Sequence, residues 1–208
     1  PKSSRRQRQM CIRDSICLQE TKVMDDSFPV EAFEKLGYSV EVYGQKSYNG
    51  VAIISKIKAE NVKKGFYDCA DYDQNIEIFL SQKRIISADF NGIKFINVYV
   101  PNGSSLDSDK FEYKINWLNC LASFVDEQEK KGKLICLLGD FNIAPSNIDI
   151  HNPKKYEGGI MASEIERNAL DNVLKKRLID SFRLFEKNTG HWSWWDYRNN
   201  AYELNKGW

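Results

Sequence analysis

The chain has 208 residues, a mass of 24.1 kDa, 42% apolar and 28% charged residues, and a formal net charge of +1. These values exclude an intrinsically disordered chain, and a charge so close to zero does not by itself indicate a polyanion partner. A single globular domain with a full core is expected, and no apolar run reaches the roughly 18 residues of a membrane helix. We therefore expect a cytoplasmic protein with no membrane partner.

Residues 1–15 form a basic segment that lacks helical or strand periodicity. The segment contains five basic residues and one acidic residue, Asp14. It leads into the apolar run at 16–18 without a turn signal. We interpret residues 1–15 as a non-native or disordered basic tail. A native arm that contacts nucleic acid is the alternative.

Strand-like and helix-like segments alternate through the first half of the chain. A strand ICLQET, a helix VEAFEKLG and the strands YSVEVY and GVAIIS come first. Three runs rich in β-branched and aromatic residues follow and are also predicted to be strands: IEIFLSQ, RIISADF and IKFINVYV. The dipeptide Asn91-Gly92 between the last two is a hairpin signal. Antiparallel pairing is therefore expected, which excludes a simple parallel doubly wound sheet.

Two helices and one buried strand are predicted in the second half. Residues 110–130 carry apolar side chains at helical spacing, and the buried-strand run LICLLG follows them. After a loop at 144–146, the segment SEIERNALDNVLKKRL is predicted to be a helix. Its first residues, Ser163 and Glu166, have the spacing of a capping box.

Two acidic residues stand at the ends of apolar strands, where α/β proteins assemble their sites. Glu20 follows the first strand, and Asp140 follows the run LICLLG. Asn142 lies two residues beyond Asp140, so on extended backbone both side chains share a face and can bind a phosphate and its water together. Glu20 has the oxygen donors that Mg²⁺ prefers. For an isolated acid, a role in capping the next turn is the more common alternative.

Five separated segments together resemble the motifs of the exonuclease III / AP endonuclease family, in its bacterial form. In chain order they are LQETK (18–22), NGVAIISK (49–56), NVYVPNG (97–103), GDFNIAPSNIDIHNP (139–153) and WSWWDYR (192–198). The wider endonuclease–exonuclease–phosphatase superfamily, which includes lipid and inositol phosphatases, shares GDFN and the upstream QE. The prediction of a DNA substrate therefore rests on LQETK and WSWWDYR. The resemblance implies an α/β (α+β) fold, a four-layer sandwich of two mixed β-sheets packed face to face with helices outside.

The resemblance also implies roles for the reacting groups. Glu20 would be the metal ligand, with Mg²⁺ as the ion and Mn²⁺ as a substitute. Asp140 would orient and deprotonate the attacking water, and Asn142 would hold the scissile phosphate. Tyr99 would place its hydroxyl on the phosphate, although a tyrosine in a strand is more commonly part of the core.

The resemblance places four further residues at the substrate. Lys22 and Arg84 would lie near the DNA groove, and a solvated surface position is an equal alternative for each. Trp194 would form the wall of a pocket for a flipped-out abasic sugar, with Arg198 on the DNA face. An aromatic cluster is ordinarily core, but neighbouring strand residues alternate faces, so Trp192, Trp194 and Trp195 cannot all point inward.

Two departures from the family pattern affect the expected activity. The basic tail replaces the first strand of the family, and the chain stops at Trp208, before the closing Ser-Asp-His motif. We therefore expect residues 16–208 to be a domain incomplete at both termini and inactive as it stands. The parent function implied is that of a monomeric, Mg²⁺-dependent DNA-repair nuclease acting on 3′ ends and abasic sites of double-stranded DNA. The alternatives are another phosphodiesterase or phosphatase of the superfamily and a non-catalytic DNA-binding relative.

Overall fold

The computed structural model describes residues 14–67, 76–175, 177–198 and 200–208, which divide into two compact units. The first unit comprises the described parts of Pro1–Tyr99 together with Ser123–Asp140. The second comprises Val100–Ala122 and the described parts of Phe141–Trp208. Of the predicted basic tail, residues 1–13 lie outside the described residues.

A three-stranded antiparallel sheet opens the first unit. It consists of β1 (Ser15–Gln19), β2 (Ser39–Tyr43) and β3 (Val51–Ser55), with β3 in the centre. All five residues of β3 are buried, which fits the apolar run at 51–54, and the strand ends in the buried polar residue Ser55. A short helix, α1 (Val30–Glu34), links β1 to β2 and packs against β2.

A four-stranded mixed sheet forms the rest of the β-structure in this unit. Its order is β4 (Glu60–Lys64), β5 (Ile85–Phe90), β6 (Ile93–Tyr99) and β7 (Leu134–Asp140). The β5–β6 hairpin turns at Asn91 and Gly92 with φ of 50° and 81°, which confirms the predicted two-residue turn. Strands β6 and β7 are parallel, so a long crossover connects them.

The two sheets pack face to face, and this confirms the predicted α/β fold with two packed sheets. Within the described strands, the first sheet is antiparallel rather than mixed. Asn97 of β6 is fully buried, donates to the carbonyls of Leu18 and Ala52 at 3.0 Å each, and accepts from Gln19 Nε2 at 2.7 Å. One amide therefore ties β6 to two strands of the opposite sheet. The apolar core around it comprises Val51, Ile53, Ile86, Ala88 and Phe90.

The segment IEIFLSQ is helical, and its prediction as a strand is wrong. It forms α2 (Ile76–Ser81). A short apolar run has no period that distinguishes a buried strand from a buried helical turn, so packing decides. The rings of Phe79 and Phe66 pack in a T-shaped pair with their centroids 6.3 Å apart, and the Leu80 carbonyl accepts from the Tyr43 hydroxyl at 3.2 Å. These contacts hold α2 against the rest of the first unit.

The two long predicted helices are confirmed as α3 (Asp109–Lys130) and α5 (Glu164–Leu174), with the short α4 (Pro153–Tyr156) between them. The predicted capping box is present at the start of α5. That helix ends earlier than expected, because Lys175 adopts left-handed backbone with φ of 40°. Among the described residues, no helix is both long and apolar enough to cross a membrane.

Candidate active site

The turn after β1 is tied to the turn before β3. Glu20 and Lys22 both adopt left-handed backbone, with φ of 55° and 57°. The amide of Thr21 donates to the carbonyl of Gly50 at 3.2 Å, and the amide of Lys22 donates to that of Asn49 at 2.9 Å. A Cβ on Gly50 would lie 2.1 Å from Thr21 Oγ1, so only glycine permits this approach. The motifs LQETK and NGVAIISK therefore hold each other, and together they set the direction of Glu20.

The carboxylate of Glu20 has two polar partners. It accepts a hydrogen bond from the Tyr99 hydroxyl at 2.8 Å and forms an ion pair with Lys22 Nζ at 2.6 Å. The Lys22 hydrogen bond lowers the pKa of Glu20, partial burial opposes this effect, and Tyr99 and the charge of Arg84 lower the pKa further. Glu20 is therefore ionised at neutral pH.

Tyr99 ends β6 and is held by Arg84. The guanidinium of Arg84 lies 4.7 Å from the centroid of the Tyr99 ring, and its Nη1 donates to the Tyr99 carbonyl at 3.2 Å. Burial, the hydrogen bond to Glu20 and nearby negative charge raise the pKa of Tyr99 to about 12, although Arg84 acts in the opposite direction. The phenol therefore keeps its proton at neutral pH.

Asp140 ends β7 and lies beside Tyr99. The two residues are partners in the parallel β6–β7 register. The negative charge of Asp140 contributes to the raised pKa of Tyr99, in agreement with their proximity. Glu20, Tyr99 and Asp140 thus lie together at strand ends of the two sheets, with the Glu20 carboxylate bound to the Tyr99 hydroxyl. Within one unit the chain thus holds two carboxylates, each able to accept a proton or bind a cation, and one hydroxyl able to donate a hydrogen bond.

Asn142 lies in a turn of the second unit and is held through both its amide and its backbone. Its Nδ2 donates to the Val100 carbonyl at 2.9 Å, and its Oδ1 accepts from Asn102 Nδ2 at 3.2 Å. Its backbone, with φ of 49°, accepts from Lys114 Nζ at 2.8 Å. The motifs NVYVPNG and GDFN are therefore joined by asparagine amides.

Trp194 and Arg198 also belong to the second unit. Trp194 is 42% exposed and pairs with Trp208 through backbone hydrogen bonds, while Trp192 and Trp195 are half-buried. The three tryptophans thus do not all point inward, as expected. The guanidinium of Arg198 lies in solvent, 3.1 Å from Asp196.

Five of the eight predicted site residues come together in the first unit: Glu20, Lys22, Arg84, Tyr99 and Asp140. Asn142, Trp194 and Arg198 lie in separate segments of the second unit.

The sequence reasoning missed Lys114, which hydrogen-bonds to the Asn142 turn. A signal for it exists, because a lysine stands at position 114 within the helical stripe of apolar positions 111, 118, 121 and 125. A charged residue in such a stripe is buried when the helix packs.

The donor atoms near Glu20 suit Mg²⁺. The described residues contain no cluster of three or more His, Cys, Asp or Glu side chains that could bind a metal. Mg²⁺ needs only one or two carboxylates, because water and phosphate oxygens complete its coordination. The ionised Glu20 carboxylate therefore fits such an ion, which would take the place that the Lys22 ammonium has beside it.

Comparison with known proteins gives the same family as the motifs. The sequence profile of the Endonuclease/Exonuclease/phosphatase family matches residues 5–208. Exodeoxyribonuclease III of Haemophilus influenzae is 35% identical over 207 residues, which cover 93% of this chain and 74% of that protein. The 3′ phosphatase NExo from Neisseria, solved with a product DNA hairpin, is 36% identical with a TM-score of 0.84, covering 99% of this chain and 78% of that one. An AP endonuclease from Archaeoglobus fulgidus is 34% identical with a TM-score of 0.85, covering 96% and 75%.

Proposed function

Because this chain belongs to the endonuclease/exonuclease/phosphatase family and is a nuclease of the exonuclease III / AP endonuclease type, we propose that it hydrolyses phosphodiester bonds of double-stranded DNA during DNA repair. The proposed substrates are 3′ ends, trimmed in the 3′→5′ direction, and abasic sites, cut on their 5′ side. The observation that carries the proposal is the cluster of Glu20, Tyr99 and Asp140 at strand ends of the two sheets.

In the proposed reaction, Asp140 orients a water molecule and takes its proton as the water oxygen attacks phosphorus. The bond between phosphorus and the leaving ester oxygen breaks, and that oxygen takes a proton from solvent. Asn142 and the Tyr99 hydroxyl hold phosphate oxygens. With its pKa raised to about 12, Tyr99 stays a hydrogen-bond donor and adds no negative charge beside the phosphate.

The proposed cofactor is Mg²⁺, with Mn²⁺ as a substitute, held at the carboxylate of Glu20. When bound, the ion supplies positive charge that offsets the charge developing on the phosphate. Glu20 suits this role because its pKa is lowered, which keeps the carboxylate ionised. Lys22 would release the carboxylate and turn towards the DNA backbone.

The proposed DNA contacts are Lys22, Arg84, Arg198 and Trp194. Because Arg84 lies over the Tyr99 ring, we propose that it also orients the phenol. The exposed face of Trp194 supports a place at the surface of an abasic pocket. A monomeric state and a cytoplasmic location stay predictions.

The reaction is tested on the full-length protein with labelled duplexes carrying a tetrahydrofuran abasic analogue or a recessed 3′ end. We expect cleavage with Mg²⁺ or Mn²⁺ and none in EDTA. Asp140→Asn should lower kcat by roughly 10²–10⁴-fold, because it removes the proton acceptor. The matched control is Glu31→Gln, at a side chain 88% exposed on α1, and it should leave kcat unchanged.

Three outcomes would contradict parts of the proposal. Cleavage that resists EDTA would exclude the metal at Glu20. Hydrolysis of inositol or lipid phosphates without DNA cleavage would favour another phosphatase of the superfamily. Salt-sensitive DNA binding without hydrolysis in any metal would favour a non-catalytic DNA-binding relative.

The abasic pocket is tested with a pair of tryptophan variants. Trp194→Ala should slow cleavage at the abasic analogue more than trimming of 3′ ends, and it should change Tm little. Trp192→Ala is the control, because the Trp192 ring packs tightly against the backbone of Gly207 and its loss should mainly lower Tm. A large fall in Tm with equal loss of both activities in the Trp194→Ala protein would assign Trp194 to the core.

A further inference from the structure

Helix α3 carries a lysine whose side chain is completely buried. The side chains of Lys114 and its partner Glu166 are both 0% exposed. Lys114 Nζ lies 2.5 Å from Glu166 Oε1, 2.8 Å from the Asn142 carbonyl and 3.2 Å from the Asn102 carbonyl. An ammonium has three N–H donors, so it can donate to all three of these acceptors at once. The ammonium of Lys114 therefore links α3 to the turns of Asn102 and Asn142 and to the carboxylate of Glu166.

Glu166 is itself held by several donors, so it presents a fixed acceptor to Lys114. Its Oε1 also accepts from the Met161 amide at 3.0 Å. Its Oε2 accepts from the Ser163 amide at 3.2 Å and the Ser163 hydroxyl at 2.6 Å. Such a surrounding compensates the cost of burying the carboxylate.

The two carbonyls bound by Lys114 belong to the turns that carry Asn102 and Asn142. The side-chain amides of these asparagines meet at 3.2 Å. The stem of Lys114 also supports the first turn, since a Cβ on Gly103 would lie 3.1 Å from Lys114 Cδ and Gly103 has φ of 89°. A shift of the ammonium would therefore move both turns and the Asn142 amide with them.

A buried ion pair is weak evidence for a stabilising role, because apolar side chains of similar volume often stabilise a protein as well or better. Apolar replacements would, however, leave the carbonyls of Asn102 and Asn142 without this donor. The charged pair therefore contributes the fixed positions of these two carbonyls.

We infer that Lys114, held by Glu166, is a positioning residue that orients the Asn142 turn for phosphate binding. The inference rests on the proposed function, in which Asn142 holds the scissile phosphate. Lys114 acts through the two carbonyls, so its removal should affect the rate more than substrate affinity.

The primary test compares Lys114→Met with Lys94→Met in the full-length protein. Lys94 is a matched control, because its side chain is 4% exposed and pairs with Asp89 at 2.7 Å in the first unit. Both variants should be less stable in urea. Only Lys114→Met should lower kcat, by roughly 10²-fold with KM changed a few-fold at most, since small misplacements of a reacting geometry have effects of this size. Lys114→Arg, which keeps a buried charge and donors, should restore part of kcat.

A double-mutant cycle with Asn142→Ala tests the route of the effect. If Lys114 acts through the Asn142 turn, Lys114→Met should cause little further loss of kcat once Asn142 is alanine. If the loss of kcat in the double variant equals the product of the losses in the two single variants, the inference is overturned.

The remaining outcomes separate the inference from the proposed function. A folded Lys114→Met protein with kcat within about twofold of wild type, beside an impaired Asn142→Ala protein, overturns the inference alone. Full activity in Asn142→Ala overturns both, because the phosphate ligand is then a different residue. If Lys114→Met does not fold, Lys114→Gln is subject to the same criteria. It is neutral and shorter, but it keeps a donor for Glu166.

Discussion

Two lysine–glutamate ion pairs differ in their exposure to solvent. One lies in the turn after β1, and the other binds the turn that carries Asn142. In the exposed pair, Lys22–Glu20, the side chains are 55% and 41% exposed, whereas in the buried pair, Lys114–Glu166, both are 0% exposed. Water screens the exposed pair, so its partners separate at little cost. No solvent can replace either partner of the buried pair. From this difference we expect the exposed carboxylate of Glu20 to exchange its cation and the buried carboxylate of Glu166 to keep its partner fixed.

The largest effect should come from removing the acid of the buried pair. Glu166→Ala leaves the ammonium of Lys114 buried without its counter-charge, which typically costs about 3–5 kcal/mol of unfolding free energy. Glu20→Ala should cost no more than about 1 kcal/mol, because its partner is solvated. Urea unfolding of both variants measures the difference. Equal losses would show that exposure does not separate the two pairs.

The pH dependence of stability gives a second test of the difference between buried and exposed ion pairs, because the chain has another buried carboxylate. Asp89 is 5% exposed and pairs with Lys94 at 2.7 Å and Lys133 at 2.9 Å. Burial alone would raise the pKa of Asp89, but hydrogen bonds from Lys94, Lys133 and Asn61 outweigh it and lower the pKa to about 2. A pKa below the ordinary 3.8 means that the stabilisation is complete above about pH 4 and is lost as the pH falls through 2.

The acid-sensitive contribution of Asp89 should amount to about 2 kcal/mol. It is measured as the change in unfolding free energy between pH 6 and pH 2, for the wild-type protein and for Asp89→Asn. The wild-type protein should lose more stability than the variant by that amount. Identical pH profiles would mean that the two lysines do not stabilise the ionised form.

The smallest effect should come from the exposed pair. In the proposed metal site the ammonium of Lys22 would compete with Mg²⁺ for Glu20, so Lys22→Met should bind Mg²⁺ more tightly. An exposed pair contributes at most about 1 kcal/mol, which limits the decrease in Kd to about fivefold. Calorimetric titration of DNA-free protein with Mg²⁺ measures it, with Lys35→Met as an exposed control. Weaker binding in Lys22→Met would show that Lys22 supports the metal site.

Features determined by neighbours in the sequence could be predicted. The Asn91-Gly92 turn and the Ser163–Glu166 capping box follow from local backbone chemistry, and the strand-end positions of Glu20 and Asp140 follow from apolar runs of known length. The helix at 76–81 could not be predicted, because packing rather than periodicity decides the structure of so short an apolar run.

The parts of the site that could not be predicted depend on distant contacts. Lys114 and Glu166 are 52 residues apart, and Asn97 bonds to Leu18 from 79 residues away. No local conformational preference determines such a pairing. The ion pair between a lysine in an apolar stripe and a glutamate in a capping box therefore cannot be predicted from the sequence alone. The family resemblance predicted which residues are the reacting groups, whereas the contacts that hold these side chains became visible only in the folded chain.

The carboxylate of Glu166 both caps α5 and binds Lys114. If the first turn of α5 frays, Lys114 loses its acceptor and the Asn142 turn is released in the same step. Native-state hydrogen exchange should therefore show the amides at the start of α5 opening in the same cooperative step as those around residue 142. Gentle warming would then disable phosphate binding by local opening, well before the chain unfolds. The upper temperature for activity would be set by one turn of helix rather than by the melting of the whole molecule.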